Sequence, residues 1–382
     1  MKICFFLTSR YPTSKAYGVT TGESARALRE LGHKILIIAP SPSTSRKGSD
    51  DYENEVFQIY SKKLFLLREK LDNFKYLGPI NFILTSTFYS LKAKSSLKEF
   101  TPDVVWVRDA LSTLTLLSKF ENLPVIVEVH QPPSILTRIA INRLAKKRTT
   151  VLLVIQESYR AKLQKLFPKC KVIYAPMGVN NEFLRVGEIK LKNVSHMQQV
   201  NPLRVCYVGR MYSSGVNNGL NQLLESWSQI PGAIAKLTLV GLSQQEIKLL
   251  KVVTQVENLD FIESIKHTDV PKLLQEFDCG IIPYPSSVYN NSRFPIKLVE
   301  YSAAGLNVAL TRIKSHIDIL DEQIGYFYEV ENPYDLLRCI SEIKLNRDVA
   351  ISKAKCGFQW AQRYTYKARV KPIIESVKGL HF

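Results

Sequence analysis

The sequence lacks the cysteine pattern of a disulfide framework or a structural zinc site. Its six cysteines are scattered and none forms a C-x-x-C pair, which favours free thiols in a reducing compartment. Long apolar runs are also missing, because the longest uncharged stretch, 76–91, has 16 residues and is interrupted by Gly78, Pro79 and Asn81. Such a stretch is too short for a membrane span. The apolar run at 3–7 predicts a buried strand rather than a signal peptide.

Acidic residues are scarce, but only in the first half of the chain. The whole sequence carries 52 Lys and Arg against 34 Asp and Glu, a net charge of +18. Residues 1–200 hold 31 basic and 16 acidic side chains, a net +15, whereas residues 201–382 hold 21 and 18, a net +3. We therefore expect the first half to meet an anionic surface.

Short apolar segments alternate with helical patterns along nearly the whole chain. Strands are predicted in two series, at 3–8, 34–39, 103–107, 125–129, 151–155 and 171–174, and then at 203–208, 236–240, 259–262, 280–283 and 307–310. Helices are predicted at 23–31, 220–229, 244–254, 270–277 and 296–304, with a terminal helical segment at about 353–377. Strands that are apolar throughout are typical of parallel sheets with helices on both faces. Two such series predict two doubly wound α/β domains.

A polar stretch ending in Asn201-Pro202 separates the two series. We place an N-terminal domain at 1–185, a C-terminal domain at 186–360, and a terminal helix at 361–382 that packs back toward the N-terminal domain. Open parallel sheets bind ligands outside the carboxyl ends of their strands. Candidate residues are therefore expected at those ends.

The most specific motif follows the predicted strand 280–283. A loop rich in Pro, Ser and Asn leads through Ser292-Arg293-Phe294-Pro295 into a helix, whose free N-terminus suits a phosphate. Glu300 lies about one turn further, where a carboxylate can accept two sugar hydroxyls. The alternative interpretation is a solvated helix glutamate behind an ordinary helix-starting proline.

Two other strand ends carry candidates. Gly209-Arg210 follows strand 203–208, and a guanidinium there suits a pyrophosphate, although such an arginine is often only a surface residue. His130 follows strand 125–129; its imidazole can donate to a sugar hydroxyl, or it is a structural loop histidine. The other histidines are interpreted as structural or exposed, with His316 as a weaker site candidate. The chain has no Asp-x-Asp, so neither a metal nor a cofactor is predicted.

Taken in order, these motifs resemble those of the retaining GT-B glycosyltransferases of family 4 (glycosyl transferases group 1). The resemblance extends along essentially the whole chain and includes Gly18, Gly32-His33, Glu128-Val129-His130 and Ala175-Pro176-Met177-Gly178. It implies two Rossmann-like domains that face each other across a cleft. The acceptor would bind to the N-terminal domain and the nucleotide sugar to the C-terminal domain.

The resemblance also implies roles for individual residues. Arg210 would bind the donor diphosphate, Glu300 would hold the ribose and His130 would line the donor-sugar site, which makes these three the predicted catalytic residues. The predicted donor-binding set also contains Gly18, Gly209, Ser292, Arg293, Phe294, Pro295, Ile296, Lys297 and Leu298.

Two positions depart from the family pattern. Ser292 stands where the first glutamate of a pair is usual. The resemblance therefore does not indicate which donor-sugar hydroxyl this position recognises. Asn218 stands beside Gly219 where a lysine is usual, which removes one charge from the phosphate site. Lys297 is a candidate replacement if its side chain turns toward that loop.

The predicted reaction is transfer of a sugar from a UDP- or GDP-type donor to a hydroxyl of a lipid-linked or polysaccharide acceptor. The family implies retention of anomeric configuration, with the leaving phosphate itself taking the proton, in cell-surface polysaccharide or glycolipid assembly. Two alternatives stay open. One is a GT-B-like nucleotide-sugar epimerase, which needs carboxylate pairs that the sequence does not show. The other is a noncatalytic or degenerate nucleotide-sugar or polyanion-binding protein.

Basic side chains interleaved with apolar ones predict docking of the first half on an anionic membrane. One cluster contains Lys62, Lys63, Arg68, Lys70 and Lys75, and the other contains Arg143, Lys146, Lys147 and Arg148. A solvated basic face is the alternative for each cluster. Nucleic acid is a rival partner, but the chain carries no nucleic-acid-binding motif. The protein is therefore expected in the cytoplasm, peripheral at the inner face of the plasma membrane.

Overall fold

A computed structural model describes residues 1–13, 16–41, 46–50, 53–59, 78–120, 122–193, 202–213, 215–253 and 256–379. The chain forms two compact units, one made of Met1–Met177 with Tyr366–Phe382 and the other of Gly178–Thr365.

The first unit is built on an eight-stranded sheet in the order β3-β4-β2-β1-β5-β6-β7-β8. All neighbouring strands are parallel except the edge strand β3, which is antiparallel to β4. Their bounds are β1 Lys2–Phe6, β2 Lys34–Pro40, β3 Arg46–Ser49, β4 Glu55–Ile59, β5 Val104–Val107, β6 Val125–Val129, β7 Thr150–Val154 and β8 Lys171–Tyr174. The sequence predicted six of the eight, and it missed the edge strand β3 and its neighbour β4.

The second unit is built on a six-stranded parallel sheet in the order β13-β12-β9-β14-β15-β16, beside a two-stranded antiparallel ribbon, β10-β11. Their bounds are β9 Leu203–Val208, β10 Tyr212–Ser213, β11 Val216–Asn217, β12 Ala235–Leu242, β13 Leu259–Glu263, β14 Cys279–Ile282, β15 Asn307–Thr311 and β16 Gly325–Tyr328. The prediction of two doubly wound parallel sheets is confirmed. It missed β16, which begins with a glycine and is only four residues long.

The described helices connect and cover these strands. They are α1 Ala16–Glu30, α2 Gly78–Phe100, α3 Ala110–Leu116, α4 Ile135–Lys147, α5 Glu157–Leu166, α6 Asn181–Lys192, α7 Leu220–Trp227, α8 Gln244–Val253, α9 Val270–Leu274, α10 Ile296–Ala303, α11 Lys314–Ile317, α12 Pro333–Leu345, α13 Arg347–Ala361 and α14 Tyr366–Lys378.

The boundaries between the units lie at 177/178 and 365/366, whereas the sequence analysis placed them at 185/186 and 360/361. Helix α6 packs on α10 of the second unit, and a Cβ at Gly187 would collide with the carbonyl of Ala303. The terminal helical segment is broken by a 3-10 turn at Gln362–Tyr364. Only α14 beyond that turn packs on α1 and belongs to the first unit.

Strand order decides which loops become neighbours. β9 pairs with β14 in the second sheet, and β5 pairs with β6 in the first. Because the carboxyl ends of parallel strands lie at one edge of a sheet, the loop after Val208 meets the loop after Ile282. In the first unit, the same rule brings Arg108 beside His130.

Candidate active site

Lys297 points its ammonium group at the loop that follows β9. A Cβ at Gly209 would lie 2.8 Å from Cε and 2.9 Å from Nζ of Lys297, so the end of the lysine side chain lies directly against the backbone of this glycine. The same Nζ donates to the hydroxyl of Tyr284 at 3.2 Å. The orientation that the sequence analysis required of Lys297 is therefore present.

Arg293 supplies a second cation on Tyr284. Its Cζ lies 3.6 Å from the centroid of the Tyr284 ring, a distance typical of a cation–π contact. Burial raises the pKa of Tyr284, but Lys297 and Arg293 outweigh burial and bring this pKa below its ordinary value. The direction of this shift indicates a positive potential around the phenol.

Asn218 acts as a partner of that arginine. Nη1 of Arg293 donates to the side-chain oxygen of Asn218 at 3.2 Å and to that of Asn290 at 3.3 Å. Asn218 also donates to the carbonyl of Arg210 at 2.8 Å. Asn218, where the resemblance led us to expect a lysine, is therefore a buried amide that orients a cation from another loop.

Helix α10 begins at Ile296 without a side-chain cap. Pro295 is its N-cap residue and makes no side-chain hydrogen bond to the first turn, which contains no acidic residue. Uncapped N–H groups and the helix dipole favour an anion at this end. Phe294 is buried with its ring centroid 5.9 Å from that of Tyr364, and Ser292 donates to the carbonyl of Tyr289 at 3.0 Å. Ser292 and Phe294 therefore shape the loop that leads to the helix.

Glu300 is buried on α10, and its Oε1 lies 2.7 Å from Nε2 of His267. The ring of His267 in turn lies against Phe183, at 5.6 Å between centroids. From the sequence, His267 is expected to be structural or exposed, so its contact with Glu300 was not predicted. No local spacing connects the two residues, because they come from different β-α units.

Arg210 is more exposed than the other candidates of this unit. Its side chain is 57% exposed, and its Nε lies 3.2 Å from Oε2 of Glu246. That carboxylate also accepts from the N–H of Met211 at 3.1 Å and from Ser243. Glu246 therefore connects the Arg210 loop to α8. In this conformation the Nε edge of the Arg210 guanidinium is paired with the Glu246 carboxylate.

In the first unit, Glu128 lies at the centre of a group of charges at the end of β6. Its Oε2 accepts from Nε of Arg108 at 2.9 Å, and its Oε1 lies 3.4 Å from Nε2 of His130. Arg369 on α14 donates to Oε1 as well. Burial raises the pKa of Glu128, but Arg108, Arg369 and His130 outweigh burial and hold it well below the usual value.

Two members of this group were not predicted from the sequence. Arg108 follows β5 just as His130 follows β6, so the strand-end rule that selected His130 would also have found Arg108. Arg369 stands 241 positions after Glu128, and no motif connects them. Gly18, in the first turn of α1, allows close packing, because a Cβ there would lie 2.5 Å from the carbonyl oxygen of Thr13.

The second basic cluster divides into two parts. Arg143, Lys146 and Lys147 are exposed on α4. Arg148 instead donates to the backbone carbonyls of Phe120 and Leu117, at 2.9 and 3.2 Å, so its guanidinium is held by the backbone of the same unit. The first cluster (Lys62, Lys63, Arg68, Lys70 and Lys75) lies outside the described residues.

Two features are absent from the described part of the chain. No helix there is both long and apolar enough to cross a bilayer. No group of three or more His, Cys, Asp or Glu side chains among the same residues is arranged to hold a metal ion.

Comparisons with known proteins agree with the fold. Residues 202–345 match the family described as "Glycosyl transferases group 1". Sucrose-phosphate synthase from Thermosynechococcus elongatus superposes with a TM-score of 0.76 at 15% identity, covering 99% of this chain and 98% of that one. HepE of Anabaena in complex with UDP gives a TM-score of 0.68 at 14% identity over the whole of both chains.

A curated relative shares a shorter segment. The "Putative teichuronic acid biosynthesis glycosyltransferase TuaH" of Bacillus subtilis (strain 168) is 28% identical over 108 residues, which cover 25% of this chain and 27% of that protein. The chain thus aligns with about a quarter of the length of this relative. Together with the sheet topology, the matches show the GT-B fold and support a glycosyltransferase of the GT-B class.

Proposed function

We propose that this protein is a retaining glycosyltransferase that moves a sugar from a nucleoside diphosphate sugar to a hydroxyl of a lipid-linked or polysaccharide acceptor. The observation that carries the proposal is the pair of cations, Lys297 and Arg293, beside the uncapped start of α10. They lie in the segment that matches the glycosyl transferase family. Two fixed cations and free helix N–H groups suit the two phosphates of such a donor.

The same groups stabilise the leaving group without a metal ion. As the bond between the anomeric carbon and the diphosphate oxygen breaks, negative charge grows on that oxygen, where Lys297, Arg293 and Arg210 neutralise it. The acceptor oxygen forms its bond to the anomeric carbon on the same face, and its proton passes to the departing phosphate. Glu300 would hold the ribose hydroxyls.

Donor and pathway are supported by the relatives. The Anabaena protein of the same fold was crystallised with UDP and also with UDP-glucose, which favours a UDP-type donor over a GDP-type one. The relative from Bacillus subtilis is named for teichuronic acid biosynthesis, which favours a role in cell-surface polysaccharide assembly.

An anionic membrane surface is the proposed docking partner, through one face of α4. Ile135, Leu136 and Ile139 are 75%, 54% and 45% exposed, and the cations Arg143, Lys146 and Lys147 continue the exposed side of the helix. Residues 129–156 contain no Asp or Glu. Exposed aliphatic side chains beside cations suit the headgroup region of a bilayer, whereas nucleic acid would use only the cations. The protein would then act at the inner face of the plasma membrane.

A donor panel tests the catalytic proposal. Purified protein is mixed with UDP-, GDP- and ADP-sugars in the presence of EDTA, and thermal shift and sugar hydrolysis are measured. Stabilisation by one nucleotide class together with slow release of that sugar supports the proposal, and NMR of the first-released anomer tests retention. Binding without turnover would favour the noncatalytic alternative, and an interconverted nucleotide sugar would favour an epimerase.

Vesicle flotation tests the docking proposal. The wild type is expected to float with vesicles containing phosphatidylglycerol, and the triple variant Ile135→Ser, Leu136→Ser, Ile139→Ser is expected to remain largely in the dense fraction. Leu249→Ser with Val349→Ser removes two aliphatic side chains of similar exposure (each 52%) and serves as the matched control. Equal flotation of the wild type with neutral and anionic vesicles would contradict the proposal.

A further inference from the structure

The group around Glu128 contains one more cation than it needs for neutrality. Two guanidinium groups, those of Arg108 and Arg369, meet a single carboxylate. A buried carboxylate between two guanidinium groups stays ionised, and the cations together make protonation of a nearby imidazole unfavourable. Burial and Arg108 accordingly lower the pKa of His130, although Glu128 opposes them.

A neutral imidazole carries one proton, and the surroundings of His130 decide which nitrogen holds it. Nε2 is buried without a well-aligned hydrogen bond, and Oε1 of Glu128 lies 3.4 Å from it. A lone pair at Nε2 would face the negative oxygen, whereas an N–H at the same position is attracted to it. This arrangement of charge favours the proton on Nε2, which would leave the lone pair on Nδ1.

The carboxylate itself is held from several directions. Arg108 also donates to Oγ1 of Thr20 at 2.9 Å, and Arg369 donates to the carbonyls of Ala175 and Pro176 at 2.5 and 2.8 Å. α1 and α14 thereby fix the two guanidinium groups, and these fix the Glu128 side chain. Among the described residues, the charged groups that face the His130 ring are these two arginines and the glutamate.

We propose that Glu128 is a positioning residue that fixes the Nε2–H tautomer of His130, so that Nδ1 accepts a hydrogen bond from a substrate hydroxyl. This inference rests on the proposed function for the nature of the hydroxyl, which belongs to a sugar. It reverses the polarity expected from the sequence, where the imidazole was a donor. A substrate whose hydroxyl is replaced by an ether or a fluorine would then lose this contact, because neither can donate.

The tautomer is measurable without any substrate. Long-range 1H–15N spectra of 15N-histidine-labelled protein, with His130 assigned from His130→Asn, are expected to show Nε2 protonated and Nδ1 bare at pH 7.5. Glu128→Gln is expected to lower the pKa of His130, and Arg108→Gln is expected to raise it, because the first removes an attractive charge and the second a repulsive one. His33, which lies outside this group, serves as the control resonance and should not change.

Two results would overturn the proposal: an Nδ1–H tautomer in the wild type, or shifts of the His130 pKa in the same direction in both variants. Removing Glu128 leaves two arginines unpaired and can prevent folding. Arg108→Gln keeps the Glu128–Arg369 pair, so with that variant alone a fall in the pKa of His130, or an Nδ1–H tautomer in the wild type, overturns the proposal.

Kinetics provide a separate readout. The amide of Asn reaches the position of Nδ1, whereas the amide of Gln reaches that of Nε2, so His130→Asn is expected to retain about five- to tenfold more kcat/KM than His130→Gln. Equal loss in both would contradict the acceptor role of Nδ1. Absence of all transfer by the wild type would refute the proposed function and leave the tautomer result standing.

Discussion

Removing the charge of Lys297 is the most direct test of the phosphate site. Lys297→Met keeps an unbranched side chain of similar length and deletes the ammonium, which lies 5.4 and 5.7 Å from the ring centroids of Tyr207 and Tyr284. A hydrogen bond to a charged group contributes about 1.5–3 kcal/mol, which corresponds to about 10- to 150-fold in Kd. Because Lys297 is half-buried, water screens part of this contribution, and we expect UDP to bind about tenfold more weakly.

Isothermal titration with UDP at two salt concentrations measures this effect. The matched control is Lys314→Met, which removes an exposed lysine that is paired with Asp318 in the same unit and is expected to leave the Kd unchanged. The difference in Kd between Lys297→Met and the wild type should shrink at high salt, because screening weakens the attraction between the Lys297 ammonium and the diphosphate. If Lys297→Met binds UDP within twofold of the wild type, Lys297 does not replace the missing lysine and the phosphate site is assigned wrongly.

Three further predictions concern the ribose site, the packing behind it and the response to acid. Glu300→Ala should remove the preference for UDP over 2′-deoxy-UDP, measured as a ratio of Kd values; a variant that still discriminates would exclude Glu300 from ribose binding. Gly280→Ala should lower the melting temperature by about 2–10 °C, because the new methyl collides with the ring of Tyr301 and overpacking costs about 1–3 kcal/mol; Gly232→Ala, where the nearest atom is 3.6 Å away, is the control and should change it little. Burial lowers the pKa of His316 to about 4, below its unfolded value of about 6.5, so the unfolded chain binds the proton first and stability falls as pH drops from 6.5 toward 4, by up to about 1.4 kcal/mol per pH unit. His316→Gln should flatten the loss of melting temperature between pH 7 and 5, and an unchanged slope would show that His316 does not titrate differently on folding.

Much of the fold was predictable because parallel strands buried on both faces give short, continuous apolar runs in the sequence. The strand at 203–208 and the helix at 220–229 were found from apolar runs and a glycine boundary alone. β3 has the sequence RKGS, which carries no apolar signal, since an edge strand can form from backbone hydrogen bonds alone. The predicted domain boundaries differ from those of the two compact units, because a polar stretch in the sequence does not reveal which unit its neighbouring helix packs against.

The candidate site was predictable where residues lie close together in the sequence. The loop and helix from Ser292 to Glu300 form one continuous motif, and strand-end position selected His130 and Arg210. Partners from distant segments were missed, as with His267 beside Glu300 and Arg369 beside Glu128. Such contacts depend on which helices cover which strands, and no local spacing carries that information.

The sequence by itself determined two parallel α/β sheets, the unequal charge of the two halves and the strand ends that carry candidate site residues. These properties follow from local periodicity and from the residue types present. Only the tertiary structure decided that Lys297 and Arg293 converge on Tyr284 and that Arg293 also donates to Asn218. It also decided that Glu128 lies between two arginines and faces His130. Side-chain direction and the surrounding charge set the protonation of each group, and both exist only once distant segments of the chain have packed together.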